Sequence, residues 1–427
     1  MKKSFLIIIG MQKLSESGWA WVPSLYFTEG LPYFVVNTIS VVMFKDLGMD
    51  NGTLALLTSL LSLPWVIKPL WSPAVDIVRS KRWWIVAMQS LMAVSVLLVS
   101  LSVGNTFLSI LFFVILAFAS ATHDISADGF YMLALDNRRQ AAFVGIRNTF
   151  YRISMVFGQG VIVVCAGLLE KRCGNCAISW KFTLIGTAVL LGAIALYNSL
   201  VFPRPAEDSE RKRNGAAAFF RGFGDAFASF FTKKGVWTAI CFMLLFRLPE
   251  ALSIKMLYPL FSDPAQVGGL GLGKEEFGLV YGTFGVIALL AGGILGGVHI
   301  SRRGLRRCMM PMALSLALPC AVYLYMAAAQ PSSVPLIGAL VLFDQFGYGY
   351  GFTAYTVYMM RFADGPLKTS HYAICTGFMA LSMLLPGLVA GYLQQMLGYV
   401  GFFILVVICC VVTISVTLLA RRRLPSA

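Results

Sequence analysis

Four charges interrupt an otherwise apolar stretch of this chain. Asp124 and Asp128 lie near the end of one long apolar segment, in Ala-Thr-His-Asp-Ile-Ser-Ala-Asp-Gly-Phe-Tyr (121–131). Arg147 and Arg152 open the next, in Gly-Ile-Arg-Asn-Thr-Phe-Tyr-Arg (145–152), after a polar turn from Asp136 to Gln140. A charge at the centre of a bilayer costs at least ~2.5 kcal/mol on insertion scales, so such residues are expected to be paired, functional or both. Asp124 and Asp128 are four apart and share one helical face. In two antiparallel helices joined by a short turn, residues equally far from the turn lie at equal depth. Asp124 and Arg152 each stand 11 positions from its edges, which predicts that they face each other at roughly 16 Å along the helix. Asp128 and Arg147 are predicted to meet one turn nearer the surface. Such pairs either hold two helices together or form a site for substrate or protons, and the residue types leave both readings open.

Other charges fall inside apolar runs. Glu29 lies in Phe-Thr-Glu-Gly-Leu-Pro-Tyr (27–33), where Gly30 and Pro32 loosen a helix around an acid, as in cavity-lining broken helices. Lys68 lies in a run with three prolines (63–73). Arg247 and Glu250, in Leu-Phe-Arg-Leu-Pro-Glu-Ala-Leu (245–252), are three apart and can pair on one face; Lys255 follows. Asp344 and Gln345 are polar groups in a run that continues through Tyr348, Tyr350 and Tyr355, aromatics suited either to stacking on a sugar or to packing. Five buried acids thus balance five buried bases, which suits a water-accessible path and not a lipid-facing anchor. His299 and His371 read as interfacial, whereas His123 adjoins Asp124.

The elements that must position these groups are membrane helices. Of 427 residues, 58% are hydrophobic and 12% charged, against about 25% charged in a soluble domain. Apolar runs of 20 or more residues predict helices and not a barrel. Twelve spans are expected: about 21–44, 53–77, 83–103, 107–134, 141–169, 180–202, 236–261, 274–300, 308–329, 334–360, 371–396 and 399–420. They form an all-α plan of two six-helix bundles, 1–202 and 236–427. The segment 203–235 is a polar linker with an amphipathic helix over 216–231. The second half repeats the first: Leu-Phe-Arg-Leu-Pro-Glu sits where Tyr-Phe-Thr-Glu-Gly-Leu-Pro sits, and a basic turn follows both the second and the eighth span.

A net charge of +15 invites a nucleic-acid reading, which its distribution excludes. Of 34 Lys and Arg, 24 fall on one side in the termini and alternate loops, 5 on the other and 5 within spans. That bias places both termini in the cytoplasm. Nine cysteines show no metal pattern, and no cofactor is expected. Cys173 and Cys176, in an outside loop, fit a disulfide or a chance pair. The first residues, with a short apolar run over 5–11, read as an interfacial segment and not a cleaved leader.

These motifs resemble the muropeptide permease and acetyl-coenzyme A transporter family of the major facilitator superfamily. The sharpest is Ala-Thr-His-Asp-Ile-Ser-Ala-Asp-Gly-Phe (121–130). Lys-Pro-Leu-Trp-Ser-Pro-Ala-Val-Asp (68–76), Tyr-Arg-Ile-Ser-Met (151–155), Phe-Arg-Leu-Pro-Glu-Ala (246–251) and Phe-Asp-Gln-Phe-Gly-Tyr-Gly (343–349) support it. Asp76 before Arg79, Lys81 and Arg82 is similar to the superfamily's loop between its second and third helices, which implies a cytoplasmic gate at Asp76 and Arg82. His123 stands where the family has Gln, and Phe130 where it has Trp. The resemblance implies proton-coupled import of anhydromuropeptides across a bacterial inner membrane, or acetyl-coenzyme A as cargo in the eukaryotic branch; both are anionic.

The mechanism expected is alternating access, in which a carboxylate that loses its basic partner takes up a proton. Asp124, Asp128 and Glu29 are the candidates for that step. Arg152, Arg147, Lys68, Arg247, Glu250, Lys255, Asp344 and Gln345 are candidates for pairing or for holding cargo. Export of drugs or siderophores is the alternative within transport, but the fifth span lacks the glycine-proline motif usual in antiporters of this superfamily. No histidine-centred motif faces a loop and no phosphate-binding glycine loop precedes a Lys-Ser/Thr pair, so an enzyme is not expected.

Overall fold

The computed structural model describes residues 18–423 apart from 73–74, 76–78, 136, 205–207, 209–223, 225–226 and 365–367. The expected amino-terminal segment, most of the linker with its amphipathic helix, and Asp76 lie outside the described residues. Those that are described form helices and connecting turns with no strand. Eight helical runs among them are long and apolar enough to cross a bilayer.

In chain order, α1 is Val22–Asp46, with a wider π turn at Val35–Ile39. The next helix, α2, is Asn51–Ile67, bent after Leu60 and followed by a tight turn at Lys68–Leu70. Then come α3, Lys81–Leu101, and α4, Thr106–Ala134. α5 begins at Asn137–Val156 and continues through a π turn to Val163–Cys173, and α6 is Cys176–Val201. Short polar side chains start four of these helices by accepting from otherwise unpartnered backbone N–H groups. Asp50 caps α2, Ser80 α3, Asn105 α4 and Asn175 α6.

α7 comes in two pieces, Val236–Leu245 and Leu248–Ser262. Pro249 near the start of the second piece supplies no N–H to continue the first, and Thr413 Oγ1 donates to the carbonyl of Phe246 at 3.0 Å, filling part of the gap. α8 is Lys274–Arg303, α9 Leu305–Ala329 and α10 Val334–Ala363. A final run, Lys368–Arg423, holds a non-helical Gly398 at φ +66°, a conformation natural to glycine; it divides α11 (368–397) from α12 (399–423).

Two compact units result. Unit 1 comprises residues 1–40, 67–158 and 169–220; unit 2 comprises 41–66, 159–168 and 221–427. In unit 1, Trp21, Phe130 and Phe202 meet edge-on or tilted. Beside them a polar seam joins four helices. Ser24 donates to Asn198 at 2.6 Å, Asn198 to Gln89 at 3.1 Å and Gln89 to Thr28 at 2.8 Å. Gln89 Nε2 also meets His123 Nε2 at 3.1 Å, so His123 belongs to the seam that holds α4 against α3. In unit 2, α8 and α10 approach through Gly292 and Gly349, where a methyl group would run into the carbonyls of Phe346 and Leu289. Tyr355 stacks on Phe246 at 5.3 Å and donates to Met243 O; it is a packing residue.

Candidate functional site

Unit 1 gathers the first set of expected charges. Arg147 Nη2 pairs with Asp128 Oδ1 at 2.7 Å, joining α5 to α4 as the spacing predicts. The guanidinium lies over the Tyr26 ring at 4.5 Å, and the Tyr26 hydroxyl donates to the same Asp128 oxygen at 3.4 Å. Charge pairing and ring contact together hold Arg147 more firmly than either would alone.

The expected Asp124–Arg152 pair does not form. Asp124 pairs with Lys68, from the tight turn after α2. The reason is rotational: Arg147 and Arg152 are five residues apart, so their directions differ by roughly 140° around the helix. Asp124 and Asp128 share a face, and once Arg147 meets Asp128, Arg152 points away from Asp124. No hydrogen bond or ion pair joins Arg152 to a described residue. The tight turn brings Lys68 toward α4, where Trp71 Nε1 also donates to Thr122 Oγ1 at 3.1 Å. Depth counting along two helices did not include this third one.

Glu29 completes the group. It is 8% exposed, and its Oε2 has no hydrogen-bond partner among the described residues. Two of the three acids pair with a base, and Glu29 has none among the described residues. Such a cluster can exchange partners: a carboxyl group outside the pairs loads or releases a proton without first breaking one.

Unit 2 holds the second set. Arg247 stands at the break in α7 and grips Glu250 with two bonds, Nε–Oε2 at 2.9 Å and Nη2–Oε1 at 2.6 Å. Its Nη2 also donates to Tyr348 at 3.0 Å, and the guanidinium lies 4.8 Å from the Phe352 ring centre. Asp344 accepts from Tyr323 at 2.6 Å and from Gln345 at 3.0 Å, with no ion pair among the described residues. Lys255 is buried and donates to the carbonyl of Thr58 at 3.1 Å. That carbonyl is free because the bend in α2 directs the Ser62 N–H to Ser59 O. Lys255 thus closes a broken helix end, where a cation is favoured. Of Tyr348, Tyr350 and Tyr355 on α10, Tyr348 bonds Arg247, whereas Tyr350 bonds His299 and Tyr355 bonds Met243 O.

At the expected gate, Arg82 Nη2 donates to Ser199 O at 2.6 Å. Asp208 of the linker caps α3 by accepting from the backbone N–H groups of Lys81 and Arg82 at 2.7 and 3.1 Å. Nothing in the spacing singled out Asp208, nor Tyr26, which lies one turn before Glu29. Cys173 and Cys176 are not joined in a disulfide. No cluster of metal-ligating side chains occurs among the described residues.

A helical plan with paired charges inside it is what a membrane transporter requires, and residues 24–367 match the Major Facilitator Superfamily. The chain belongs to that superfamily. It is 23% identical over 407 residues to the anhydromuropeptide permease of Escherichia coli strain K12, covering 94% of this chain and 79% of that one. It is 22% identical over 410 residues to a Rickettsia felis protein bearing the name AmpG 4, covering 93% and 95%. Among solved structures, the nucleoside transporter NupG superposes with a TM-score of 0.73 at 18% identity, covering 95% and 98%. A D-xylose–proton symporter superposes at 0.67 and 12% identity, covering 98% of each. These structural likenesses concern the fold.

Proposed function

We propose that this transporter imports anhydromuropeptides together with protons, by alternating access of two six-helix bundles, 1–202 and 236–427. Its membrane is a bacterial inner membrane, with both termini in the cytoplasm as the basic loops indicate. The observation that carries the coupling is the unit 1 cluster: Lys68–Asp124 and Arg147–Asp128 are closed pairs, and Glu29, within electrostatic reach of all four, has no base of its own among the described residues. A buried, unshared carboxyl group carries a proton at less cost than a charge. In unit 2, Arg247 and Tyr348 offer a planar cation and a hydroxyl on α7 and α10, suited to an anionic, sugar-bearing molecule. The cargo follows from the likeness to the E. coli permease, and the buried bases agree with its negative charge.

The test is uptake of a labelled anhydro-disaccharide peptide into proteoliposomes with an alkaline interior. Accumulation that collapses when a protonophore is added is the expected result. Folded protein that accumulates none of it would overturn the cargo and turn attention to acetyl-coenzyme A and other oligosaccharides.

A further inference from the structure

The outer surface of unit 2 carries a groove that neither charge cluster uses. It runs between the first piece of α7 and the end of α12, with a volume of about 200 Å³, and is lined by Trp237, Thr238, Cys241, Val416 and Leu419. Val416 is 6% exposed and forms its floor, whereas Trp237 and Leu419 are 68% and 52% exposed and form its rims. Cys241 is exposed within it. Phe231, at the end of the linker, meets the Trp237 ring at 6.2 Å.

One end of this groove is basic. Val416, Leu419 and Arg423 are spaced by three and four, which sets them on one face of α12. Arg423 rests against the start of α7: its Cδ lies 4.0 Å from the place a methyl group on Gly235 would take. Gly235 has φ +79° and immediately precedes the helix. Lys234 comes before it, three residues from Trp237. Lys234, Arg422 and Arg423 are exposed and Arg421 is partly so. No acid among the described residues pairs with any of the four. Lys233, by contrast, is committed to the end of α10, donating to the carbonyls of Phe362 and Asp364 at 2.7 and 2.9 Å. By the distribution of basic residues, this is the cytoplasmic end.

An apolar face alone does not select among lipids, because one acyl chain suits it as well as another. Exposed cations alone would attract any anion. Here the two are joined: cations without a counter-charge stand at the mouth of an apolar groove. Cys241 lies five residues into α7, roughly 8 Å along the helix, so the groove begins where head groups give way to acyl chains. Trp237 belongs at that level, with an amphipathic ring suited to the interface. A negative head and an apolar tail on one molecule satisfy both parts.

We propose that the groove between α7 and α12 binds an anionic diacyl phospholipid of the cytoplasmic leaflet. One acyl chain lies along Trp237, Cys241, Val416 and Leu419, and the phosphate meets Lys234 and Arg423. Basic pockets between membrane helices on this side suit anionic head groups. Nothing in the site depends on the cargo. The native Cys241 thiol serves as reporter. Protein in a nonionic detergent is treated with N-ethylmaleimide, and alkylation of the peptide carrying residue 241 is followed by mass spectrometry. Cys165, exposed on α5 and outside the groove, is the internal control. Phosphatidylglycerol should slow alkylation of Cys241 by about fivefold or more relative to the same amount of phosphatidylcholine, and leave Cys165 within about twofold. Lys234→Gln with Arg423→Gln should raise the phosphatidylglycerol needed for half protection by about twentyfold, roughly fivefold for each basic residue, with alkylation in phosphatidylcholine unchanged. Equal protection by the two lipids would overturn the proposal and leave an unselective lipid contact. So would equal slowing of Cys165, a consequence of micelle charge, or protection by glycerol phosphate, which has no acyl chain. Undiminished protection in the double variant would do the same. The comparison of lipids on the parent protein decides the matter even where that variant fails to fold.

Discussion

Arg247 and Glu250 show what a closed pair does at the scale of one residue. Their side chains are 8% and 14% exposed, and two hydrogen bonds fix the guanidinium over Phe352 and beside Tyr348. Glu250→Ala leaves a buried cation, at an expected cost of about 3 kcal/mol in stability. Arg247→Met combined with Glu250→Leu removes both charges and should recover most of that loss, while abolishing any role in uptake. Unfolding in detergent, followed for both variants and for Arg247→Met alone, separates the two effects. If the double variant were as unstable as Glu250→Ala, the pair would be contributing net stability. This contact was legible in the sequence because a separation of three residues keeps the two side chains within reach, here across the start of the second piece of α7. Asp128–Arg147 was legible for a related reason, as one short turn fixes their depth. Lys68 was not, because a tight turn sets its direction and no local periodicity describes such a turn.

At the scale of elements, the breaks and caps matter more than the apolar runs. The bend in α2 frees the Thr58 carbonyl for Lys255, and the gap in α7 presents Arg247. Prolines mark both segments in the sequence, yet the partners that satisfy the breaks come from α7 and α12, beyond the reach of a sequence pattern. Asp50 starts α2 by accepting from the Thr53 N–H at 2.9 Å, and it also accepts from Gln395 at 2.7 Å. These bonds hold its carboxyl below the usual carboxylate range. A depressed pKa in the folded state adds stability that is present above the unfolded value, near ~3.9, and fades as pH falls through the folded value. Asp50→Asn keeps the cap without the charge, so it should match the parent near neutrality and lose less stability on acidification below about pH 4. Asp50→Ala should cost about 1 kcal/mol at neutral pH. Melting temperatures of the three proteins across pH 3–7 test the assignment; an Asp50→Asn protein with the parent's acid sensitivity would show that another group governs it.

Across the whole molecule, the even balance of acids and bases in the sequence conceals an uneven use of them. Lys68–Asp124, Arg147–Asp128 and Arg247–Glu250 are closed. Of the five acids within the expected spans, two stand outside these pairs, Glu29 in unit 1 and Asp344 in unit 2, and their surroundings differ. Asp344 accepts from Tyr323 and Gln345 on one oxygen, hydrogen bonds that hold a carboxylate in place. Glu29 leaves Oε2 without any partner among the described residues and lies in the unit that holds both Asp124 and Asp128. Proton coupling is therefore expected at Glu29, and a positioning role at Asp344. Glu29→Gln, which mimics a permanently protonated side chain, should lose gradient-driven accumulation but keep exchange of labelled for unlabelled cargo across the membrane, because exchange requires no net proton movement. Asp344→Asn keeps the polar contacts in a weaker form, so it should raise the KM for uptake by about tenfold or less while accumulation still follows the pH gradient. Uptake and exchange measured side by side in proteoliposomes decide between them. A Glu29→Gln protein that still concentrates cargo against its gradient would move the coupling site to Asp344, and with it the proton's route from unit 1 to unit 2.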